Sequence, residues 1–537
     1  MQSAVSPWRI CLAALILIPI GIRKARFLVF IVAILVGATA MSIRQASLES
    51  SAIAQHFDSQ VNFTAQVMTD PSQSVSGKYS FTARLLAFDI EKKHFQLRVP
   101  VRVISQQRVE LLPGQTIRAT ARVVETNESR VAAMLLVDKE MEVVTPPSRW
   151  ASALGAIRTG LRTHSGDGDA GALIPGMVLG DTSKQSAQFK DQMKRSGLTH
   201  LVAVSGANFA IVSSFVLWCM QFLIRSTRYR MIATAIALTC FIALVRPSPS
   251  VLRAAAMAAV LLSAHATKRK TDSLPALGFA IAAVVLADPW QSRDAGFALS
   301  VLATAGLLLF APVIENHLPT HKKLARALAP PIAAIVFCAP ILVALSGYLS
   351  PMSIFANLLA APFVAPITIV GFIGALVSPF APAITSILIY CIRVPAGVIA
   401  AIAKWSSEFP VLTIHNGLIG FAIVTVIVVF LWLFKKSWRK STAVLIVLIL
   451  SLTWLQRWPA ADWQIANCDV GQGDSMVINL GHGRAIVIDV GPDPVAENKC
   501  LRNLGIKEIP LLVLSHFHAD HVGGLSRLLQ SRKVGQV

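Results

Sequence analysis

Two kinds of pattern alternate along this chain. Long apolar runs, longer than an ordinary soluble core requires, are separated by stretches of mixed polarity. The first two runs are Ile10–Ile22 and Phe27–Ile43, on either side of a basic turn at Arg23, Lys24 and Arg26. A second block of runs covers about 199–224, 231–245, 251–267, 274–287, 295–313, 327–349, 354–377, 379–403, 411–434 and 441–455. Several fall short of the ~20 residues that a straight membrane span needs. Tilted, re-entrant or half-helices are therefore expected among them. Pro330, Pro331, Pro340, Pro362, Pro366 and Pro395 lie inside runs. Each removes a backbone donor and predicts a kink that a neighbouring helix or a cavity must satisfy.

Between the two apolar blocks the period drops to two. Val61–Met68, Tyr79–Phe88, His94–Ile104, Gln115–Val124 and Ala132–Val144 show partial apolar–polar alternation with β-branched residues. Pro71-Ser72, Ser76-Gly77 and Pro113-Gly114 punctuate them. Five short strands fit a small β-barrel of the OB type, an architecture that often binds single-stranded nucleic acid. A generic small β domain is the plainer alternative. Phe63, Tyr79, Phe81, Phe88 and Phe95 are candidate stacking platforms, with core packing as the simpler role. The stretch after 148 reads as an amphipathic connector. The expected organisation is then 1–43 membrane segments, 44–148 β domain, 149–198 connector, 199–458 transmembrane domain and 459–537 a C-terminal module.

Composition agrees with the runs. Hydrophobic residues make up 54% and charged residues 14%, where a soluble domain carries about a quarter charged. The formal charge of +21 resembles a nucleic-acid footprint until it is sorted by region. Most of it lies in the membrane blocks, in clusters at Arg23/Lys24/Arg26, Arg225/Arg228/Arg230, Lys268/Arg269/Lys270, Lys322/Lys323/Arg326 and Lys435/Lys436/Arg439/Lys440. Counting spans puts these clusters on one face, which the positive-inside rule makes cytoplasmic. Both soluble modules, 44–150 and 459–537, then fall outside. Of the 7 cysteines, Cys468 and Cys500 share the C-terminal module. A bridge between them is open, with small buried thiols the expected state.

Two sets of residues carry candidate chemistry. His200, Ser205, Asn208 and Arg253 are polar groups in apolar stretches. Burial in lipid is costly, so they are expected to face a cavity or pair with one another. For Arg253 the alternative is a snorkelling side chain at the outer end of its run. The second set follows the apolar stretch Leu511–Leu514 as Ser515-His516-Phe517-His518-Ala519-Asp520-His521. Imidazole and carboxylate donors at that spacing suit zinc or manganese.

These stretches carry two resemblances. Ser196–Asn208, Gly180-Asp181, Pro249–Ala254 and Gly296–Ser300 resemble the competence-type membrane domain of the ComEC family of bacterial DNA-uptake channels. Asn208 stands where many members have histidine. The C-terminal module, with Asp469-Val470-Gly471-Gln472-Gly473-Asp474, Asp489 and the histidine motif, resembles the start of a metallo-β-lactamase fold. That resemblance implies His516 and His518 on a first metal and Asp520 and His521 at a second, with Asp489 supporting the site and Asp489 and Asp520 as the catalytic carboxylates. Two divalent ions would then serve phosphodiester cleavage of the strand not imported. The family's later ligands would lie beyond Val537, so the chain is expected to be either a piece of a longer protein or a relative without nuclease activity.

The reading is a polytopic α-helical membrane protein of the bacterial plasma membrane with an OB-like β domain and a partial metallo-β-lactamase-like domain. It is expected to conduct single-stranded DNA during transformation. The alternatives are a membrane-bound metallo-hydrolase of another phosphodiester and a non-catalytic remnant. No GxxxxGK[ST] phosphate loop is present, so a cytoplasmic ATPase motor is an expected partner, with a DNA receptor on the outer face.

Overall fold

A computed structural model describes residues 25–73, 78–91, 93–202, 204, 206–246, 248–266, 273–318, 320–414, 416–433, 463–471 and 473–537. The runs Ile10–Ile22 and 441–455, the basic residues at 23–24, 268–270 and 435–440, the turn at 76–77, Gln472 and the candidate Ser205 lie outside these residues. The chain divides into two compact units, Met1–Trp438 and Arg439–Val537.

The first unit opens with helix α1, Ala25–Glu49, which carries the second apolar run. Strands β1 (Gln60–Val67), β2 (Tyr79–Ile90), β3 (Lys93–Ser105), β4 (Thr116–Val124) and β5 (Met134–Val137) follow, with β6 (Glu142–Thr145) paired to β4. β1 pairs with β2, β2 with β3 and β5 with β4, all antiparallel, while β3 and β5 run parallel. An antiparallel β4–β1 pairing closes the ring. The result is a near-closed five-stranded Greek-key barrel of the OB type. Alternation drives it, because every second side chain of each strand turns inward. Phe63, Phe81 and Phe88 are among its largest fully buried side chains, so core packing is their role. The expected single strand Ala132–Val144 is broken by Asp138–Met141 into β5 and β6.

Three helices follow: α2 (Arg149–His164), α3 (Gly168–Leu179) and α4 (Ala187–Arg195). This corrects the reading of 149–198 as an amphipathic connector throughout. Residues 171–179 of α3 are buried, and Leu173, Ile174 and Met177 belong to the main core of the unit. α3 has no polar stripe because it has no solvent-facing side.

The apolar runs become helices α5 (Gly206–Leu223), α6 (Thr227–Val245), α7 (Pro249–Ala266), α8 (Ser273–Ala287), α9 (Ala295–Leu309), α10 (Ala311–His317), α11 (Lys322–Ser346), α12 (Ser353–Val377), α13 (Pro382–Ser407) and α14 (Gly417–Leu433). Among the described residues, α5, α6, α11, α12 and α13 are long and apolar enough to cross a membrane. The pair α9–α10, bent by 45°, makes a sixth. α8 and α14 are shorter apolar helices, as is the stretch Ser250–Val260 of α7.

The β domain is fastened to the helices by charge. Asp70, just after β1, holds Arg246 through two bonds of 3.0 and 3.2 Å and lies 3.2 Å from Arg158 of α2. Arg130 reaches Asp294 at 3.2 Å. Arg158 is 6% exposed, and its Nη1 donates to the last carbonyls of two helices, Leu179 O and Leu244 O, each at 2.9 Å. A cation there complements the negative helix ends.

In the second unit β7 (Ile465–Asn467), β8 (Met476–Gly481) and β9 (Arg484–Ile488) are antiparallel neighbours. β10 (Glu508–Val513) and β11 (Lys533–Gln536) continue the sheet in parallel. Helix α15 (Pro494–Asn503) crosses over from β9 to β10; the turn α16 (Ala519–Val522) and α17 (Leu525–Ser531) lead to β11. Cys468 and Cys500 form a disulfide, which corrects the expectation of two free thiols. α15 folds back over the start of the Asp469 loop and brings the two cysteines together.

Candidate functional site

The histidine motif lies where the carboxyl ends of the parallel strands β9 and β10 meet, the position at which open α/β sheets place ligands. Asp489 follows β9 with φ of 58°, a left-handed conformation uncommon for a non-glycine residue. This turns its carboxylate toward the end of β10. Ser515 N–H and Ser515 Oγ donate to it at 2.8 and 2.7 Å. His521 Nδ1 donates to Asp489 Oδ2 at 2.9 Å. With Nδ1 engaged, Nε2 of His521 is left free, 3.7 Å from Asp520 Oδ2.

His516, Asp520 and His521 bring one ligand atom each within 4.8 Å of one another. His518 stands outside that group, although its ring is 4.7 Å from the His516 ring. Two imidazoles and a carboxylate form a donor set suited to zinc or manganese. A ligating histidine whose second nitrogen is tied to a carboxylate has the orientation that metal sites use. The residues present therefore fit a divalent ion. The same bonds engage both oxygens of the Asp489 carboxylate. Burial pushes its carboxyl up, but the bonds from Ser515 and His521 outweigh that and hold it below the usual carboxylate range. The bond to Asp489, with Asp520 nearby, holds His521 above its ordinary value.

Gly473 backs the motif from the Asp469 loop. An added Cβ there would overlap the Asp520 carbonyl and come 2.8 Å from Pro492 Cδ, so a side chain at this position would displace the motif. Ser515 carries two of the three bonds on Asp489 and had no role in the sequence reading. A hydroxyl directly before the first histidine was the available signal.

The polar residues of the helical unit are not arranged alike. Asn208, fully buried, donates from Nδ2 to Met177 O at 3.0 Å and so ties α5 to α3. Arg253 donates from Nε to Ser300 Oγ at 2.9 Å and from Nη1 to Met257 Sδ at 3.4 Å. At 5% exposure it is covered by protein, which corrects the snorkelling alternative. His200 lies on a helical turn, Thr199–Val202, and among the described residues it is not one of those that Arg253 bonds. Gly206, Arg253 and Ser300 thus bring three stretches of sequence to one place: an added Cβ at Gly206 would lie 2.6 Å from Arg253 Nη2. A groove of about 550 Å³ runs along α5, lined by Ala210, Ile211, Ser214, Phe215, Trp218 and Ile369.

Comparison with known proteins bears on both units. Residues 177–441 match the competence protein family, and residues 468–537 match the metallo-beta-lactamase superfamily. ComE operon protein 3 of Bacillus subtilis is 24% identical over 394 residues, covering 68% of this chain and 50% of that protein. An uncharacterized Escherichia coli protein, YcaI, is 26% identical over 421 residues, covering 71% of this chain and 52% of its own length. The chain spans about half the length of the curated relatives it matches. No solved structure matches it.

Proposed function

We propose that this chain, which carries a ComEC-type competence domain followed by a segment of the metallo-β-lactamase superfamily, imports single-stranded DNA across the bacterial plasma membrane. The observation that carries the reading is the convergence of Gly206, Arg253 and Ser300. They gather polar groups inside an otherwise apolar helical unit, where a charged strand in transit needs them. The β domain and the C-terminal unit then face outward. Two features support that orientation. Loops with little positive charge, at 246–250 and 288–294, are the ones that meet the β domain, through Asp70 and Arg130. The disulfide Cys468–Cys500 belongs in an oxidising compartment.

The C-terminal unit is then a nuclease-like module that would degrade the strand left outside. His516, Asp520 and His521 would hold a divalent ion, with Asp489 and Ser515 fixing the ring of His521. Such an ion supplies Lewis-acid activation and charge stabilisation to phosphodiester cleavage. The energy for import comes from a cytoplasmic ATPase, and a receptor presents DNA at the outer face. Deleting the gene and following labelled DNA into competent cells tests the import reading; undiminished uptake would sink it. If the native chain with its metal cleaves a small or lipid-linked phosphodiester and leaves DNA untouched, the C-terminal unit is a hydrolase of another substrate.

A further inference from the structure

We propose that Arg253 and the first turn of α5 form a binding site for a phosphate or phosphodiester anion within the membrane core. The inference rests on the import reading for its natural occupant, the backbone of the moving strand, but its argument is local.

Arg253 and Arg158 are buried alike, at 5% and 6% exposure, yet they are satisfied very differently. Arg158 has a carboxylate and two helix-terminal carbonyls. Arg253 has a hydroxyl and a thioether, and a thioether is a weak acceptor. Among the described residues no carboxylate pairs with Arg253. A buried guanidinium without a counter-charge is costly to maintain. A transient anionic ligand resolves that cost.

The geometry says where the ligand would sit. Among the described residues Ser300 and Met257 engage Nε and Nη1, and Nη2 is the nitrogen that faces Gly206. Gly206 is the first residue of α5, an 18-residue helix. The first N–H groups of a helix have no acceptor within it, and that end carries partial positive charge. Glycine leaves the approach open, since any Cβ there would press on Nη2. Two positive features thus converge on one point from different helices. The planar fork of arginine suits phosphate oxygens, and helix N-termini bind such groups.

The full chain in nanodiscs of zwitterionic lipid, titrated with dimethyl phosphate and followed by phosphorus NMR line broadening, tests the site. Wild type is expected to broaden the signal saturably. Arg253→Gln should weaken binding at least tenfold, and Arg253→Lys, which keeps the charge and loses the fork, severalfold. Gly206→Ala leaves the charge and crowds the approach, so it should also weaken binding. Absence of saturable broadening in wild type overturns the proposal. So does equal binding by Gly206→Ala and wild type, which keeps the test decisive if Arg253→Gln fails to fold. Competition by discs containing phosphatidylglycerol would support the site and identify a lipid headgroup as its occupant. Tighter binding of inorganic phosphate would support it with free phosphate as the occupant. The readout is independent of DNA uptake. Intact uptake in the deletion strain sinks the import reading while leaving the anion site standing, and the reverse outcome separates them equally.

Discussion

At Asp489 three donors converge on one buried carboxylate, and that convergence decides what the residue does. On the proposed reading it orients His521 rather than accepting a substrate proton. Asp489→Asn is expected to weaken zinc or manganese binding about 10–100-fold, the usual effect of removing an orienting partner. His521→Ala removes a ligand outright and should reduce bound metal further. Metal content after equilibrium dialysis of the two variants checks the order. Glu497, 1% exposed on α15, makes a second prediction. Burial pushes its carboxyl up to about 7, while Ser475 and Arg532 nearby pull the other way. The folded state therefore keeps a proton that the unfolded chain releases above its ordinary value of 4.5. Its contribution is full below that value and is lost as pH rises through about 7. Glu497→Gln should flatten the pH dependence, read as hydrogen-exchange protection over α15 from pH 4 to 8. The grouping of His516, Asp520 and His521 was legible because the spacing of the histidine motif is rare by chance. Glu497 was not, because a single glutamate in an amphipathic stretch gives no sign that it will be buried.

At the scale of elements, alternation located the first four barrel strands to within a few residues, since each needs only one buried face, whereas the fifth, expected over Ala132–Val144, is split into β5 and β6. α3 was missed as a buried helix because its apolar stretch is short, and length is what distinguishes a run. The disulfide was missed because cysteine spacing alone does not say whether two strand or helix ends meet. Closing a loop of 32 residues stabilises by about 3–4 kcal/mol in the chain-entropy model. Cys468→Ser is expected to lower the unfolding temperature of the C-terminal unit, and thiol trapping on whole cells should find the wild-type pair oxidised. The helices supply another prediction. Ile157 and Arg158 are consecutive, and they bond Ser378 and Leu244 respectively. Phe241 and Phe372 also touch, with ring centroids 5.3 Å apart. The carboxyl ends of α6 and α12 therefore lie together. Strict alternation of every apolar run between them would put them on opposite faces, so the run count includes elements that do not cross. Cysteines introduced as S248C and F380C should react with an impermeant maleimide from the same side of the membrane; reaction from opposite sides would contradict the contact.

At the scale of the whole molecule, ion pairs clamp the β domain to a helical core, and the C-terminal unit groups His516, Asp520 and His521. The basic excess that resembles a DNA footprint lies chiefly in the clusters that flank the apolar runs. What the account assigns to DNA instead is a small number of buried polar groups among the helices and the chemistry of the histidine motif. Its central claim is passage of DNA through this chain. The direct measurement is the amount of end-labelled DNA protected inside competent cells, compared between a deletion strain and the same strain carrying the intact gene. The account predicts that internal label falls to background in the deletion and returns with the gene, while surface-bound label is retained. Internal label at the wild-type level in the deletion strain would contradict it.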